Sequence, residues 1–227
     1  MTNRGRVLIT GANGLIGKTL VAAFSESGWE VFAHSRKPFT SSATNIIADL
    51  EVEGSGASLI HQIGRLDCVI NNAANQDVIT AEKIHAKDLE KIFRINVAAP
   101  TEIMLAAKEA GAKVVINISS IEAKTPRPGH EIYGASKAAL ESLTRSLSNS
   151  LAPMRILGIR LGLVGDENLE ERWPEGVSAW NSAVATHRYA APREVADLAL
   201  TMTSSTFAFA TGSIIDFDGG KSASPGW

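Results

Sequence analysis

The chain has 227 residues, suited to one large domain, and carries 22 Lys and Arg against 24 Asp and Glu, a formal charge of −2. That balance argues against nucleic acid or an anionic membrane as the main partner, and 44% hydrophobic with 20% charged residues excludes a disordered chain. One cysteine, Cys68, excludes a disulfide scaffold and a cysteine-based zinc cluster, and fits a reducing, cytoplasmic setting.

The N-terminal residues are polar and lead into too few apolar positions for a signal-peptide core. Residues 6–10 then form a compact apolar run, the mark of a strand buried on both faces. A glycine-rich turn follows. Residues 15–27 carry Leu15, Ile16, Leu20, Ala23 and Phe24 at helical spacing, and Gly28 stands where a helix stops. Strands are predicted at 29–33, 44–48 and 66–70, the last running into Asn71-Asn72-Ala73-Ala74. A long helix is predicted over 86–110, kinked near Pro100. A fifth strand at 113–118 ends in Ser119-Ser120, a loop with Pro126 and Pro128 leads to a helix at 131–151, and 155–161 is a sixth strand. An irregular segment with tryptophans runs to about residue 190. Pro192 can open a helix reaching about residue 203, and 213–217 is a last strand. The longest uncharged run, 198–215, is too rich in Thr, Ser and Gly for a membrane span. Seven strands alternating with helices imply an α/β fold: a doubly wound parallel sheet of the Rossmann type, in a single domain over 1–227.

Three groups of residues carry chemistry. The turn from Gly11 through Asn13, Gly14, Leu15 and Ile16 to Gly17 lies between the first strand and the first helix. Glycines there let a pyrophosphate approach the backbone, and the helix N-terminus offers free N–H groups. At the end of the second strand an acidic residue would bind an adenosine ribose diol. This chain has His34-Ser35-Arg36-Lys37 instead, and the hydroxyl of Ser35 with the two cations of Arg36 and Lys37 suits a 2′-phosphate. NADP(H) is therefore the preferred cofactor, with NAD(H) possible. Third, Tyr133 and Lys137 are four apart on a helix and share a face, where an ammonium would lower the phenol's pKa and make it a proton donor near neutrality. Ser120 ends a strand at the carboxyl edge of the sheet, where it can hydrogen-bond a substrate oxygen.

Together these residues resemble the short-chain dehydrogenase/reductase family over nearly the whole chain. The glycine turn, Asp49-Leu50, Asn71-Asn72-Ala73-Ala74, Asn96, Ser120, Tyr133-x-x-x-Lys137, Pro192-Arg193-Glu194-Val195-Ala196 and Thr211-Gly212 with Asp218-Gly219-Gly220 occur in the family's order. The resemblance implies hydride transfer between a nicotinamide cofactor and a small-molecule carbonyl or secondary alcohol. It implies Tyr133 as general acid in reduction and base in oxidation and as a cofactor contact, Ser120 on the carbonyl oxygen, Lys137 lowering the phenol's pKa and binding the nicotinamide ribose, and Asn96 supporting a proton-resupplying water chain. Asp49 and Leu50 would flank the adenine, Asn72, Ala73 and Ala74 the ribose side, and Val164 the nicotinamide amide. It also implies a substrate lid at about 163–190 and a homodimer or homotetramer built through the helices after the fourth and fifth strands.

The chain departs from the family's pattern in four places. Glycines at 11, 14 and 17 are spaced as in the extended branch, which includes sugar epimerases and dehydratases. Seven residues between Arg36 and Thr44 leave no room for the usual helix there. Asp166 stands where a threonine is usual, and Ala74 where a glycine is. A nucleotide-sugar epimerase or dehydratase and a non-catalytic NADP-binding protein are the alternatives. The five histidines show no metal-ligand spacing, so no metal is expected. Glu122 and His130, between Ser120 and Tyr133, can rim the substrate mouth, and Trp173 and Trp180 fall in the lid.

Overall fold

Val7, Leu8 and Ile9 are wholly shielded from solvent, as a strand covered on both faces requires. In the computed structural model, which describes residues 4–223, they belong to β1 (Arg6–Ile9). The first three residues of the polar N-terminal stretch lie outside the described residues. The other strands are β2 (Glu30–Ser35), β3 (Thr44–Ile47), β4 (Cys68–Asn71), β5 (Val114–Ser120), β6 (Arg155–Leu161) and β7 (Ile214–Phe217). All pairings are parallel, in the order β3-β2-β1-β4-β5-β6-β7. The order reverses between β1 and β4, the switch point outside whose strand ends such sheets bind ligands.

Successive residues of β1 feed two separate cores. Val7 and Ile9 pack with Leu20 and Phe24 of α1 (Leu15–Glu26) and with Val195 and Met202 of α8 (Pro192–Thr203). Leu8 packs on the opposite face with Leu59 and Ile60 of α2 (Ser55–Ile63) and with Ile103 and Met104 of α4 (Ala99–Glu109). The period of two along the strand thus becomes two helical layers on one sheet. Among the described residues, no helix is long and apolar enough to cross a membrane.

The structure differs from the sequence-based elements in three places, and the segment expected to be irregular up to about residue 190 carries two short helices, α6 (Leu169–Arg172) and α7 (Pro174–Ala183). Helix α2 was not anticipated, because Ser55-Gly56-Ala57-Ser58 has weak helical propensity. A distant carboxylate completes its start: Glu102 of α4 accepts from the Gly54 and Gly56 N–H groups at 3.2 and 3.1 Å, and from Arg94 at 2.7 Å. The long helix over 86–110 runs on without a break but departs from α geometry ahead of Pro100. Between α3 (Ala86–Phe93) and α4, Arg94–Ala98 forms a π turn. Proline has no N–H for the carbonyl four residues earlier, which is that of Asn96, and the wider turn absorbs the mismatch. As expected, no helix joins β2 to β3, and residues 36–43 are irregular.

Candidate active site

At the switch point, the tips of β1 and β4 are stitched together. The Thr10 hydroxyl accepts from the Asn72 and Ala73 N–H groups, both at 3.0 Å. The Asn72 amide donates to the carbonyls of Thr10 and Gly11 at 2.9 and 3.2 Å. Gly11 has φ of +66°, and a Cβ there would lie 2.8 Å from Cα of Ala73. Glycine therefore permits both the left-handed turn and the close approach of the two strands. The N-cap of α1, Gly14, has no side-chain cap, so the first-turn N–H groups face the space above.

That space is a cleft of about 690 Å³. Gly11, Asn13, Gly14, Leu15, Ile16, Arg36, Asp49, Leu50, Asn72, Ala73, Ala74 and Val164 line it, all on the expected list. Ser35, Tyr133 and Lys137 do not. Ser35 is buried and its hydroxyl donates to the carbonyl of Lys37 at 2.6 Å, so the expectation that it meets a 2′-phosphate is corrected. Lys37 lines the cleft beside Arg36, and neither cation is ion-paired among the described residues. Lys91, Gln76 and His34 line the cleft as well. They were missed because only folding brings Gln76 and Lys91 to this edge. His34 was visible in the sequence beside Arg36. Its Nε2 lies 3.0 Å from the carbonyl of Ala48, and burial lowers its pKa, which favours a neutral ring.

The second group lies deeper, where β5 meets α5 (Glu131–Ser150). The Ser120 hydroxyl accepts from the Glu122 N–H at 3.2 Å and lies near enough to the Tyr133 phenol to pull its pKa down. The Lys137 ammonium is buried, 5.7 Å from the centre of the Tyr133 ring, and donates to the carbonyl of Ile118 at 2.7 Å. The expected lowering of the phenol's pKa is not found. Burial pushes Tyr133 up to about 12, against a smaller downward pull from Ser120. Burial likewise lowers Lys137, to about 8.

Asn96 sits in the π turn, fully buried. Its amide donates to the Asn75 carbonyl and the Ser136 hydroxyl, both at 2.9 Å, and its Oδ1 accepts from the Asn75 N–H at 2.7 Å. Its side chain therefore fixes a loop of the cleft to α5. Beside Tyr133, Glu122 accepts from Arg127 at 2.8 Å and lies 3.0 Å from Nδ1 of His130, whose ring stands edge-on to Tyr133. Arg127 also approaches the Trp173 ring at 6.0 Å. Asp166 is held by Arg172 at 2.8 Å, and Cys68 is fully buried. No group of residues that could hold a metal occurs among the described residues.

The buried ammonium has a stability signature. Its pKa falls from 10.5 to about 8 on folding, so between those values the unfolded chain binds more protons and stability rises with pH. Lys137→Met should raise Tm below pH 8, with the advantage shrinking as pH climbs towards 10.5. Thermal melts of both proteins from pH 6.5 to 10.5 check this; a pH-independent difference would contradict it.

Comparison with known proteins places this geometry. Residues 11–222 match the family described as enoyl-(acyl carrier protein) reductase. The chain is 28% identical to a rhamnolipid-biosynthesis 3-oxoacyl-[acyl-carrier-protein] reductase of Pseudomonas aeruginosa, over 95% of this chain and 96% of the other. It is 26% identical to an L-xylulose reductase of Caenorhabditis elegans, over 96% and 95% of the two chains. A solved structure of a short chain dehydrogenase/reductase family protein superposes with a TM-score of 0.86 at 26% identity, covering 98% of this chain and 99% of that one.

Proposed function

Because the chain belongs to the short-chain dehydrogenase/reductase family, whose members are NAD(P)-dependent oxidoreductases, we propose that it interconverts a carbonyl and a secondary alcohol on a small molecule with NADP(H) as preferred cofactor. The observation that carries this reading is the meeting of Ser120, Tyr133 and Lys137 where β5 joins α5, beside the glycine-lined cleft.

The cleft suits a dinucleotide. Gly11 admits close backbone approach, the first turn of α1 offers N–H groups for a pyrophosphate, and Arg36 and Lys37 supply two cations for a 2′-phosphate. When bound, the nicotinamide supplies the hydride. The chain's own residues handle the oxygen and its proton. The Ser120 hydroxyl holds the carbonyl oxygen. In reduction the Tyr133 phenol donates its proton to that oxygen as negative charge develops there; in oxidation the phenolate takes it back. A phenol held near 12 is fully protonated at neutral pH, as an acid must be. The Lys137 ammonium stabilises the phenolate left after transfer. Asn96 fixes the floor of the site, and α6 (Leu169–Arg172) with α7 (Pro174–Ala183) lies in the lid segment at about 163–190. A homodimer or homotetramer through α4 and α5, in the cytoplasm, completes the reading.

The test is a panel of ketones and alcohols with both cofactors, followed optically at the nicotinamide band. Arg36→Ala/Lys37→Ala should weaken NADPH by about 10–100-fold, the loss of one or two charge-assisted hydrogen bonds, and leave NADH nearly unchanged. Equal losses for both would remove the NADP preference. Turnover without net change in cofactor absorbance would favour an epimerase.

A further inference from the structure

Behind the proposed catalytic residues lies a chain of charges that the mechanism above does not use. Glu141 stands one helical turn beyond Lys137 on α5, on the same face. It is buried, yet its carboxylate is fully engaged. The Ser119 hydroxyl donates to Oε1 at 2.7 Å, and Arg160 of β6 donates Nε to Oε1 at 2.8 Å and a terminal nitrogen to Oε2 at 2.5 Å. The remaining terminal nitrogen of Arg160 is bonded to Asp216 of β7, and Asp216 meets Lys124, in the loop after β5, at 3.2 Å. One path thus links α5, β5, β6, β7 and the loop after Ser120.

A buried ion pair is a poor source of net stability, because desolvation offsets much of the attraction. This one has a geometric product. Ser119 is the neighbour of Ser120, and Glu141 shares a helix face with Tyr133 and Lys137. We propose that Glu141 is a positioning residue: clamped between Ser119 and Arg160, its carboxylate locks the tip of β5 that presents Ser120 to the helix face that presents Tyr133 and Lys137. This rests on the reading that those three residues carry the reaction. The charges set a second consequence. Around Glu141 stand Lys137 and Arg145 on α5, Ser119 on β5 and Arg160 on β6, with Asp216 on β7 and Lys124 behind Arg160. Lys137 itself faces Tyr133 on α5 and the Ile118 carbonyl on β5. Glu141 favours the charged ammonium, against burial.

The experiment titrates Lys137 directly in the full-length protein labelled with [13Cε]lysine, the resonance being assigned by its loss in Lys137→Met. Glu141→Gln keeps the shape and removes the charge, and should lower the Lys137 midpoint by about one unit. Arg160→Met removes the opposite charge and should raise it. Opposite shifts in the two variants support the clamp; no shift, or shifts in one direction, overturn it, because loosened packing would move both the same way. Should Glu141→Gln not fold, Glu141→Leu/Arg160→Met replaces the whole pair by apolar groups, and a kcat equal to wild type in that variant overturns the proposal. On whichever ketone of the panel turns over, Glu141→Gln should lower kcat by about tenfold or more with KM for NADPH nearly unchanged. An unchanged kcat overturns the positioning role. A Tyr133→Phe protein that kept full turnover would instead sink the reading of the site, while the titration results stayed interpretable.

Discussion

Tyr133→Phe should lower kcat/KM for carbonyl reduction by about 10²–10⁴-fold, the range that a positioned general acid contributes, while NADPH binding is nearly unchanged. The substitution deletes one oxygen and leaves the ring in place. That ring is buried at the junction of β5 and α5, edge-on to His130 and above the Lys137 ammonium, so its packing survives. It does not line the cleft, so cofactor affinity has little reason to change. What disappears is the phenol's proton. The Ser120 hydroxyl remains and can still bond the oxygen, but a serine gives up its proton far less readily than a phenol. Stopped-flow and steady-state rates, with a fluorescence titration of NADPH, separate the two effects. A rate within threefold of wild type would contradict the proton-donor role.

Gly17→Ala should lower Tm by about 5–10 °C and weaken NADPH binding by more than tenfold. A Cβ at Gly17 would sit 2.1 Å from the carbonyl oxygen of Gly11 and 2.8 Å from Cα of Ala12. Both are backbone atoms, so no side chain can swing aside. Relief requires the turn to move away from α1. That turn is tied to β4 through Thr10 and Asn72, so the displacement spreads to the floor of the cleft. Gly14→Ala is the control for folding: its new methyl would meet nothing closer than 3.4 Å. Calorimetry on both variants checks the contrast. Equal melting temperatures would show that the turn is softer than the distances imply.

Much of the molecule was legible in the sequence because it rests on local pattern. Apolar runs the length of strands, helical periodicity between them, Pro192 at a helix start and glycines at 11, 14 and 17 are short-range signals, and they were enough for the alternation, the parallel sheet and the cleft lining from Gly11 to Ile16. The i, i+4 spacing of Tyr133 and Lys137 likewise put both on one helix face. What the tertiary structure alone decided depends on partners far along the chain. Helix α2 starts on a carboxylate 46 residues away. Ser35 is buried while Arg36 and Lys37 line the cleft, because the pleat turns the serine inward and the loop turns the two cations out. The protonation of Tyr133 follows from burial, which no spacing encodes and which raises the phenol where the local pattern predicts a lowering. Glu141 and Arg160 are 19 residues apart, and nothing in their local surroundings announces the pair. Periodicity reports which face a residue occupies; desolvation and long-range charge depend on what the finished fold packs against that face.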